Sequence, residues 1–324
     1  MDTKAALERL IAEIGREVVG QRALVDGLLL ALLSGGHALV EGVPGLAKTT
    51  AIRTLAQALG LGFGRIQFTP DLLPGDLLGT PVYIPEHGTF VVRKGPIFAP
   101  VLLADEVNRA PAKVQSALLE AMEERQVSIG DETFPLPEPF FVMATQNPVE
   151  LEGTYPLPEA QIDRFLLKLV VPYPAEDEER EIVLRDAEPP AVIEAVVDAE
   201  GLRALRQAAV AVHVAPALVD YAVRLARATR DPVASGVMLR ATDGEVFDGK
   251  YVALGASPRA SMYLVRAARA RALLDGRDYA TPHDVKRVAP DVLRHRVIVS
   301  YEAEADGVKP ENVIDAVLVA VETP

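Results

Sequence analysis

The chain has 324 residues, a formal net charge of −13 at pH 7, no cysteine, and apolar residues at 49% of its positions. This length is enough for two domains with separate cores, and the lack of cysteine excludes a disulfide framework and a cysteine-ligated metal. The negative balance counts against binding of nucleic acid by bulk electrostatics, so we do not expect a nucleic-acid partner.

At the N-terminus, residues 1–4 lead into an amphipathic helix and lack the apolar core of a signal peptide. The longest apolar run, Leu28–Leu33, is too short to cross a bilayer. We therefore expect a cytoplasmic protein without a membrane span.

An apolar run at residues 38–40 predicts a strand, and a loop rich in glycine and proline separates it from a predicted helix over Lys48–Leu59. This is the layout of a phosphate-binding loop, in which backbone N–H groups wrap a polyphosphate at a helix N-terminus. Lys48 would reach the outer phosphates, and the Thr49 hydroxyl would bind Mg²⁺. One departure is Ala47, at the position where such loops usually have glycine. The predicted ATP- or ADP-binding residues of the loop are Gly42, Val43, Pro44, Gly45, Leu46, Ala47, Lys48, Thr49 and Thr50.

Residues 1–186 alternate short apolar strands with helices, which indicates an α/β fold with a parallel sheet covered on both faces. The predicted strands are 37–41, 64–68, 101–104, 140–145 and 165–170, with helices at 48–59, 112–124 and 176–185. Two hairpin-like insertions, at 80–93 and 126–134, interrupt this alternation.

Asp105 and Glu106 directly follow a strand of four apolar residues, at the carboxyl end where open α/β sheets bind ligands. Asp105 would hold Mg²⁺, directly or through water, and Glu106 would polarise the attacking water. The next predicted strand is followed by Asn147, whose amide could bind the γ-phosphate and that water; a turn-forming Asn-Pro pair is the alternative.

Two arginines are further candidates. Arg164 lies just before the last predicted strand, and Arg259 lies in the first turn of a predicted helix, where a cation opposes the helix dipole. Each could bind an external anion or form a surface salt bridge, and position alone leaves both open.

Residues 186–190 are typical of a linker, and beyond Glu200 the pattern is helical only. The predicted helices are 202–210, 216–229, 258–274, 282–295 and one near 308–321, with Ser257 and Thr281 as N-caps. The connection 231–254 has mixed secondary-structure signals, so we assign it neither helix nor strand.

Motifs along nearly the whole chain resemble those of the AAA+ ATPases, and among them those of the MoxR family, in the same order. They are the phosphate loop with Ala47, QFTPDLLP at 67–74, EVNRAP at 106–111, ATQNP at 144–148, LPEAQIDRF at 157–165 and GASPR at 255–259. The resemblance implies an α/β fold with an AAA+ P-loop core over residues 1–190, followed by an all-α helical lid over 200–324.

The resemblance also implies roles for individual residues. Lys48 and Thr49 match the Walker A contacts, Asp105 and Glu106 the Walker B pair, and Asn147 the sensor 1 residue. Arg259 is similar to sensor 2, and Arg164 to an arginine finger offered to a neighbouring subunit. The segment Val19, Gly20 and Gln21 resembles the one that contacts adenine, and the hairpins at 80–93 and 126–134 resemble the helix-2 insert and the pre-sensor 1 hairpin.

The first functional hypothesis is an ATPase that forms a homo-oligomeric ring, expected to be a hexamer, and remodels or chaperones protein clients. A von Willebrand A domain protein is one expected client, since relatives of this family are often associated with such proteins. A P-loop kinase or GTPase, a nucleotide-dependent assembly module with little turnover, and a DNA-associated AAA+ motor are the alternatives.

Overall fold

The computed structural model describes residues 2–86, 88–148, 153–186, 189, 191–240, 246–247 and 251–324. They form two compact units. The first comprises Met1–Arg164 and Leu169–Leu205, and the second comprises Phe165–Lys168 and Arg206–Pro324.

The strands in chain order are β1 (Ala38–Glu41), β2 (Phe63–Gln67), β3 (Gly79–Ile84), β4 (Thr89–Lys94), β5 (Val101–Asp105), β6 (Gln126–Ile129), β7 (Glu132–Pro135), β8 (Phe141–Gln146), β9 (Leu167–Val170), β10 (Leu239–Arg240), β11 (Val246–Phe247), β12 (Val252–Leu254) and β13 (Ile298–Val299). The helices in chain order are α1 (Thr3–Gly15), α2 (Arg22–Leu33), α3 (Lys48–Ala58), α4 (Pro74–Leu78), α5 (Ala112–Glu124), α6 (Glu159–Ile162), α7 (Glu176–Asp186), α8 (Ala199–Ala211), α9 (Pro216–Arg230), α10 (Pro258–Leu274), α11 (Pro282–Leu293), α12 (Tyr301–Ala305) and α13 (Pro310–Ala320).

A five-stranded sheet in the order β2-β5-β8-β1-β9 confirms the predicted α/β architecture. Pairing is parallel from β2 to β5, from β5 to β8 and from β8 to β1. The central strands are apolar except at their carboxyl ends because both faces are covered; residues 101–104 of β5 and 38–40 of β1 are fully buried.

The register of this sheet aligns the ends of the strands that carry the candidate site. Gln67 of β2 is opposite Asp105 of β5, and Glu41 of β1 is opposite Gln146 of β8. The residues that follow β1, β5 and β8 in the chain therefore emerge at one edge of the sheet, as carboxyl ends of parallel strands do.

Both predicted hairpins are present as antiparallel pairs, β3 with β4 and β6 with β7. The Lys94 ammonium at the end of β4 lies 4.7 Å from the ring centre of Phe98 and 5.1 Å from that of Phe134 on β7. These cation–π contacts connect the base of the first hairpin to the second. His87, within the predicted hairpin 80–93, lies outside the described residues.

Two helices of the first unit were not predicted. Helix α2 buries nine of its residues, so it has no polar stripe from which helical periodicity could be recognised. Helix α4 has only five residues and begins at Pro74.

The second unit is mainly helical, as predicted. Ser257 and Thr281 cap α10 and α11 as expected, since their side chains accept hydrogen bonds from the N–H groups of Arg259 and Asp284. The prediction of helix only beyond Glu200 needs a correction, because β10 pairs with β11 and β12 pairs with β13. These strands have two or three residues each, too few to show strand periodicity.

Parts of two predicted segments lie outside the described residues, namely 187–188 and 190 of the linker and 241–245 and 248–250 of the connection 231–254. Among the described helices, none is both long and apolar enough to cross a membrane.

Candidate functional site

The predicted phosphate loop connects the end of β1 to the start of α3. The Gly42 N–H donates a hydrogen bond to the Gln146 carbonyl oxygen on β8 over 3.3 Å, and a Cβ at Gly42 would lie 3.1 Å from the Val171 carbonyl oxygen. Glycine thus allows the loop to pass close to the neighbouring main chain. Val43 is half-buried, Pro44 and Gly45 are exposed, and Leu46 is buried.

Ala47 precedes α3 in the left-handed region, with φ 54° and ψ 18°. Glycine adopts this conformation without a steric penalty, which gives a physical reason for the usual glycine at this position. No side chain caps α3 at Ala47. The free N–H groups in the first turn, which contains Lys48, Thr49 and Thr50, therefore form an end suited to binding an anion.

Lys48 points back over the loop, and its ammonium donates a hydrogen bond to the Gly42 carbonyl oxygen at 2.5 Å. Partial burial lowers the pKa of Lys48, while the charges of Asp105 and Glu106 act in the opposite direction. The loop follows β1 and the carboxylates follow β5, and both strands flank β8, so the predicted Walker A and Walker B residues lie at one edge of the sheet.

Asp105 is held from both neighbouring strands. Its Oδ1 accepts a hydrogen bond from the Thr145 hydroxyl on β8 at 2.6 Å, and its Oδ2 accepts one from the Arg65 guanidinium on β2 at 2.8 Å. The carboxylate of β5 is consequently fixed between β2 and β8.

Glu106 directly follows β5 in the left-handed region, with φ 55° and ψ 50°. Its N–H donates a hydrogen bond to the Thr145 hydroxyl oxygen at 2.8 Å. Its Oε2 accepts hydrogen bonds from the Gln67 amide at 2.7 Å and from the Arg109 guanidinium at 3.0 Å. Both the main chain and the side chain of Glu106 are therefore oriented by neighbouring groups.

Asn147 is buried and directly follows Gln146, the last residue of β8. The pairing of Gln146 with Glu41, which precedes the phosphate loop, places Asn147 at the same edge of the sheet as that loop.

A cavity of about 800 Å³ adjoins the loop. The predicted adenine-contacting residues Val19 and Gln21 line it together with the loop residues Leu46, Ala47 and Thr50. Gly20 between them has φ +69°, which favours glycine, and a Cβ there would lie 2.7 Å from the Glu178 side chain on α7. Further lining residues that the sequence analysis did not identify are Arg16, Glu17, Pro174, Ile182, Arg185, Pro189 and Ala191.

Arg164 and Arg259 are placed by other elements. Arg164 follows α6, and its Nε lies 3.0 Å from a carboxylate oxygen of Glu123 on α5. Arg259 is the second residue of α10 and belongs to the second unit.

The predicted Mg²⁺ ligands suit that ion chemically. Among the described residues there is no group of three His, Cys, Asp or Glu side chains that could hold a metal. Mg²⁺ needs fewer protein ligands than this where substrate phosphates and water complete its coordination. Thr49 offers a hydroxyl oxygen, and the Asp105 carboxylate retains lone pairs beyond its bonds to Thr145 and Arg65, so the donor set fits.

Sequence reasoning assigned no role to the residues that orient the carboxylates, although three of them lie in motifs that carry the family resemblance; these residues are Arg65, Gln67, Arg109 and Thr145. Arg65 and Gln67 are separated by two positions on β2 and so share one face of the strand, a signal that could have suggested a common role. Their partners depend on the order of the strands in the sheet, which the sequence pattern does not provide.

Comparisons with known proteins agree with the fold described above. Residues 37–167 match the model of the ATPase family associated with various cellular activities (AAA), and residues 248–317 match that of the AAA lid domain. The chain is 53% identical to Chaperone MoxR1 of Mycobacterium tuberculosis, over 98% of this chain and 82% of that protein. It is 34% identical to Protein MoxR of Paracoccus denitrificans, over 97% of this chain and 95% of that protein.

A crystal structure of a putative ATPase from Cytophaga hutchinsonii superimposes with a TM-score of 0.91 at 46% identity, covering 99% of this chain and 96% of that one.

Proposed function

Given that the chain belongs to the MoxR family of AAA+ ATPases, we propose that it binds ATP with Mg²⁺ and hydrolyses it to ADP and phosphate. The observation that carries this proposal is that the phosphate loop with Lys48 and the carboxylates of Asp105 and Glu106 lie at one edge of the sheet, because β1 and β5 both flank β8. A phosphate-binding cation and a pair of carboxylates are the groups that phosphoryl transfer to water requires.

In this proposal the loop Gly42–Thr50 holds the phosphates, and Lys48 contacts the outermost ones. Thr49 and Asp105 hold Mg²⁺, which when bound neutralises charge on the phosphate oxygens. The cavity beside Val19, Gly20 and Gln21 accommodates the adenosine.

Glu106 polarises a water molecule whose oxygen attacks the γ-phosphorus, and its carboxylate accepts the proton that the water loses. The bond from the γ-phosphorus to the bridging oxygen breaks, and ADP leaves with the electron pair. Asn147, buried at the same edge, would orient the water or the γ-phosphate through its amide. The contacts of Glu106 with Gln67 and Arg109 support a role in which the direction of its carboxylate matters.

We further propose that residues 1–190 act as the nucleotide-binding core and residues 200–324 as the helical lid, with Arg259 acting as sensor 2. The match of residues 248–317 to an AAA lid domain supports this assignment. We also propose that the chain assembles into a ring, a hexamer being the expected form, in which Arg164 completes a neighbour's site. The name of the relative Chaperone MoxR1 supports a role on protein clients, among which a von Willebrand A domain protein is our candidate.

Phosphate release and nucleotide binding by the Lys48→Ala and Glu106→Gln variants test the proposed reaction. Lys48→Ala should lose binding of a fluorescent ATP analogue, because the outer phosphates lose their cation. Glu106→Gln should bind the analogue normally but hydrolyse ATP about 10²–10⁴-fold more slowly, since the amide keeps the shape and loses the base.

Turnover by Glu106→Gln equal to that of the wild type would refute the role of Glu106. Absence of turnover in the wild type, combined with a nucleotide-dependent increase in particle size, would favour the assembly module instead. The same assay with added duplex DNA tests the motor alternative, for which DNA should stimulate phosphate release; the net charge of −13 leads us to expect no stimulation.

A further inference from the structure

Thr145 is a buried residue near the end of β8, and its hydroxyl contacts both residues of the carboxylate pair. The side chain is 1% exposed. The hydroxyl oxygen lies 2.8 Å from the main-chain nitrogen of Glu106 and 2.6 Å from Oδ1 of Asp105. One hydroxyl thus joins two adjacent residues of β5 to the neighbouring strand.

The chemistry of the three groups permits one arrangement of protons. The Glu106 N–H can only donate, and an ionised Asp105 carboxylate can only accept. The Thr145 oxygen must therefore accept a hydrogen bond from the Glu106 N–H, and the Thr145 hydroxyl must donate one to the Asp105 carboxylate. A hydrogen bond to an ionised acceptor is stronger and more directional than one between neutral groups, so the hydroxyl fixes the carboxylate plane of Asp105.

The bond to Glu106 acts on a strained backbone. Glu106 has a positive φ of 55°, a conformation that is unfavourable for a residue with a Cβ and persists only when its surroundings stabilise it. The direction of the Glu106 side chain follows from this backbone conformation. Thr145 therefore influences where both carboxylates point, because it binds the side chain of Asp105 and the main chain of Glu106.

The other partners of these carboxylates are more exposed to water. The Arg65 side chain, which binds Oδ2 of Asp105, is 49% exposed, and the Arg109 side chain, which binds Glu106, is 40% exposed. Long exposed side chains hold a partner weakly, because solvent competes for them and ordering them is unfavourable. The buried hydroxyl is consequently the more rigid constraint on the pair.

We infer that Thr145 is a positioning residue for the proposed hydrolysis, whose hydroxyl orients the Mg²⁺-binding Asp105 and the water-polarising Glu106 together from strand β8. This inference rests on the proposed function. A threonine that merely satisfies hydrogen bonds inside the first unit is the alternative, and it affects folding without affecting the response to Mg²⁺.

The test compares Thr145→Val, which keeps the shape and removes the hydroxyl, with Thr145→Ser, which keeps the hydroxyl. Thr145→Val should lower kcat and raise the Mg²⁺ concentration needed for half-maximal activity by about 10–100-fold, the range seen when a group that orients a metal ligand is removed. The affinity for ADP without Mg²⁺ should stay within about twofold, because the phosphate loop is intact, and Thr145→Ser should restore most of the activity.

A second measurement does not depend on turnover, namely the tightening of binding of a fluorescent ATP analogue when Mg²⁺ is added. Thr145→Val should reduce this tightening even if the wild type proves inactive, so a failure of the proposed hydrolysis remains distinguishable from a failure of the role of Thr145. Thr229→Val, in the second unit, is the control for the effect of such a substitution on thermal stability. Thr229 is also fully buried, and its hydroxyl accepts a hydrogen bond from a main-chain N–H and donates one to a carbonyl oxygen.

Two results would overturn the inference. One is a Thr145→Val protein with the Mg²⁺ response of the wild type. The other is a Thr145→Ser protein as impaired as Thr145→Val, because serine retains the hydroxyl and the loss would then follow from disturbed packing at this buried position.

Discussion

Three residues other than glycine have a positive φ in the described chain, Ala47, Glu106 and Arg125, and the first two belong to the candidate site. Each such conformation costs a residue with a Cβ about 1–2 kcal/mol. At Arg125 this cost is offset by hydrogen bonds from the guanidinium to the carbonyl oxygens of Phe140 and Gly35. At Ala47 the conformation turns the loop into the first turn of α3, so the phosphate loop retains the backbone of its usual glycine although the residue has changed.

Replacing Ala47 by glycine should therefore stabilise the protein. Relief of about 1–2 kcal/mol of strain is opposed by roughly 0.5–1 kcal/mol of additional chain entropy that glycine loses on folding, which leaves a gain of about 0–1.5 kcal/mol. Urea unfolding measures this difference. Ala204→Gly is the matched control, because Ala204 is exposed within α8, where glycine should instead destabilise the protein. Destabilisation by both substitutions would contradict the strain at Ala47.

The residues that carry the proposed chemistry could be predicted because they are consecutive in the chain. The phosphate loop and the pair Asp105 and Glu106 each form a local pattern next to a strand. Thr145 and Arg65 both donate hydrogen bonds to the Asp105 carboxylate, yet each is 40 positions from it in the chain. Their contribution depends on which strands are neighbours, and no local pattern specifies that.

At the scale of elements, amphipathic segments with a proline at their N-terminal end were predicted well. Helices α5 and α10 have the predicted bounds, Ala112–Glu124 and Pro258–Leu274. Helix α2 was missed because it is buried nearly all round. The strand predicted to begin at His37 begins at Ala38 instead, and the His37 ring accepts a hydrogen bond from the Val142 N–H on β8.

The connection between α10 and α11 is fixed by an ion pair inside the second unit. Arg277 donates hydrogen bonds to both carboxylate oxygens of Asp284, at 2.6 and 2.8 Å, and Asp284 also accepts from the N–H and hydroxyl of Thr281. Burial alone would raise the pKa of Asp284, but the hydrogen bonds from Arg277 and Thr281 outweigh it, so the pKa is lowered.

This ion pair predicts a specific dependence of stability on pH. Because the folded pKa of Asp284 lies below the unfolded value, its stabilisation is present above the unfolded pKa, about 3.9, and is lost as pH falls through the folded pKa. Asp284→Asn should thus lower the free energy of unfolding by roughly 1–3 kcal/mol at pH 7, since Arg277 loses its buried carboxylate partner and retains the Asp275 carboxylate, 3.2 Å away.

Urea unfolding of the wild type and Asp284→Asn between pH 7 and pH 3 measures this effect. The difference between them should shrink at the acid end, where Asp284 of the wild type becomes protonated. Glu8→Gln is the control, because the pair of Glu8 and Lys4 is exposed and 3.9 Å apart, and its loss should change stability by less than about 1 kcal/mol. A difference that stayed constant down to pH 3 would mean that the Asp284 carboxylate is not the cause.

At the scale of the whole molecule, residues 165–168 belong to the second compact unit although they directly follow Arg164. The Arg294 guanidinium donates to the Lys168 carbonyl oxygen at 2.9 Å, and the His295 ring bonds the Phe165 carbonyl oxygen at 3.1 Å. Arg296 also donates to the Phe165 carbonyl oxygen. These contacts link positions 126 to 131 apart, so the local periodicity that predicted a strand at 165–170 could not reveal them.

Arg164 is therefore the last residue of the first unit before the chain first enters the second unit at Phe165. Its N–H donates to the Gln161 carbonyl oxygen, and its guanidinium, 30% exposed, pairs with Glu123. In our proposal this arginine reaches the ATP of a neighbouring subunit. An arginine placed there in trans accelerates phosphoryl transfer by about 10³–10⁵-fold in other NTPases.

Arg164→Ala should accordingly bind ATP and be nearly inactive. Glu123→Gln removes the same ion pair within the chain but keeps the arginine, so it should retain activity; a loss as large as that of Arg164→Ala would assign the effect to the ion pair rather than to a finger.

Mixing two inactive proteins then tests whether the arginine acts in trans. In a mixed ring, an Arg164→Ala subunit has an intact Glu106, and an adjacent Glu106→Gln subunit still offers an intact Arg164. Phosphate release should therefore return on mixing, with a maximum at intermediate ratios. Arg164→Ala mixed with the double variant Arg164→Ala/Glu106→Gln is the matched control, because no subunit then offers the arginine, and activity should stay absent. If fluorescence energy transfer between labelled subunits shows that they exchange and no activity returns at any ratio, Arg164 does not act in trans.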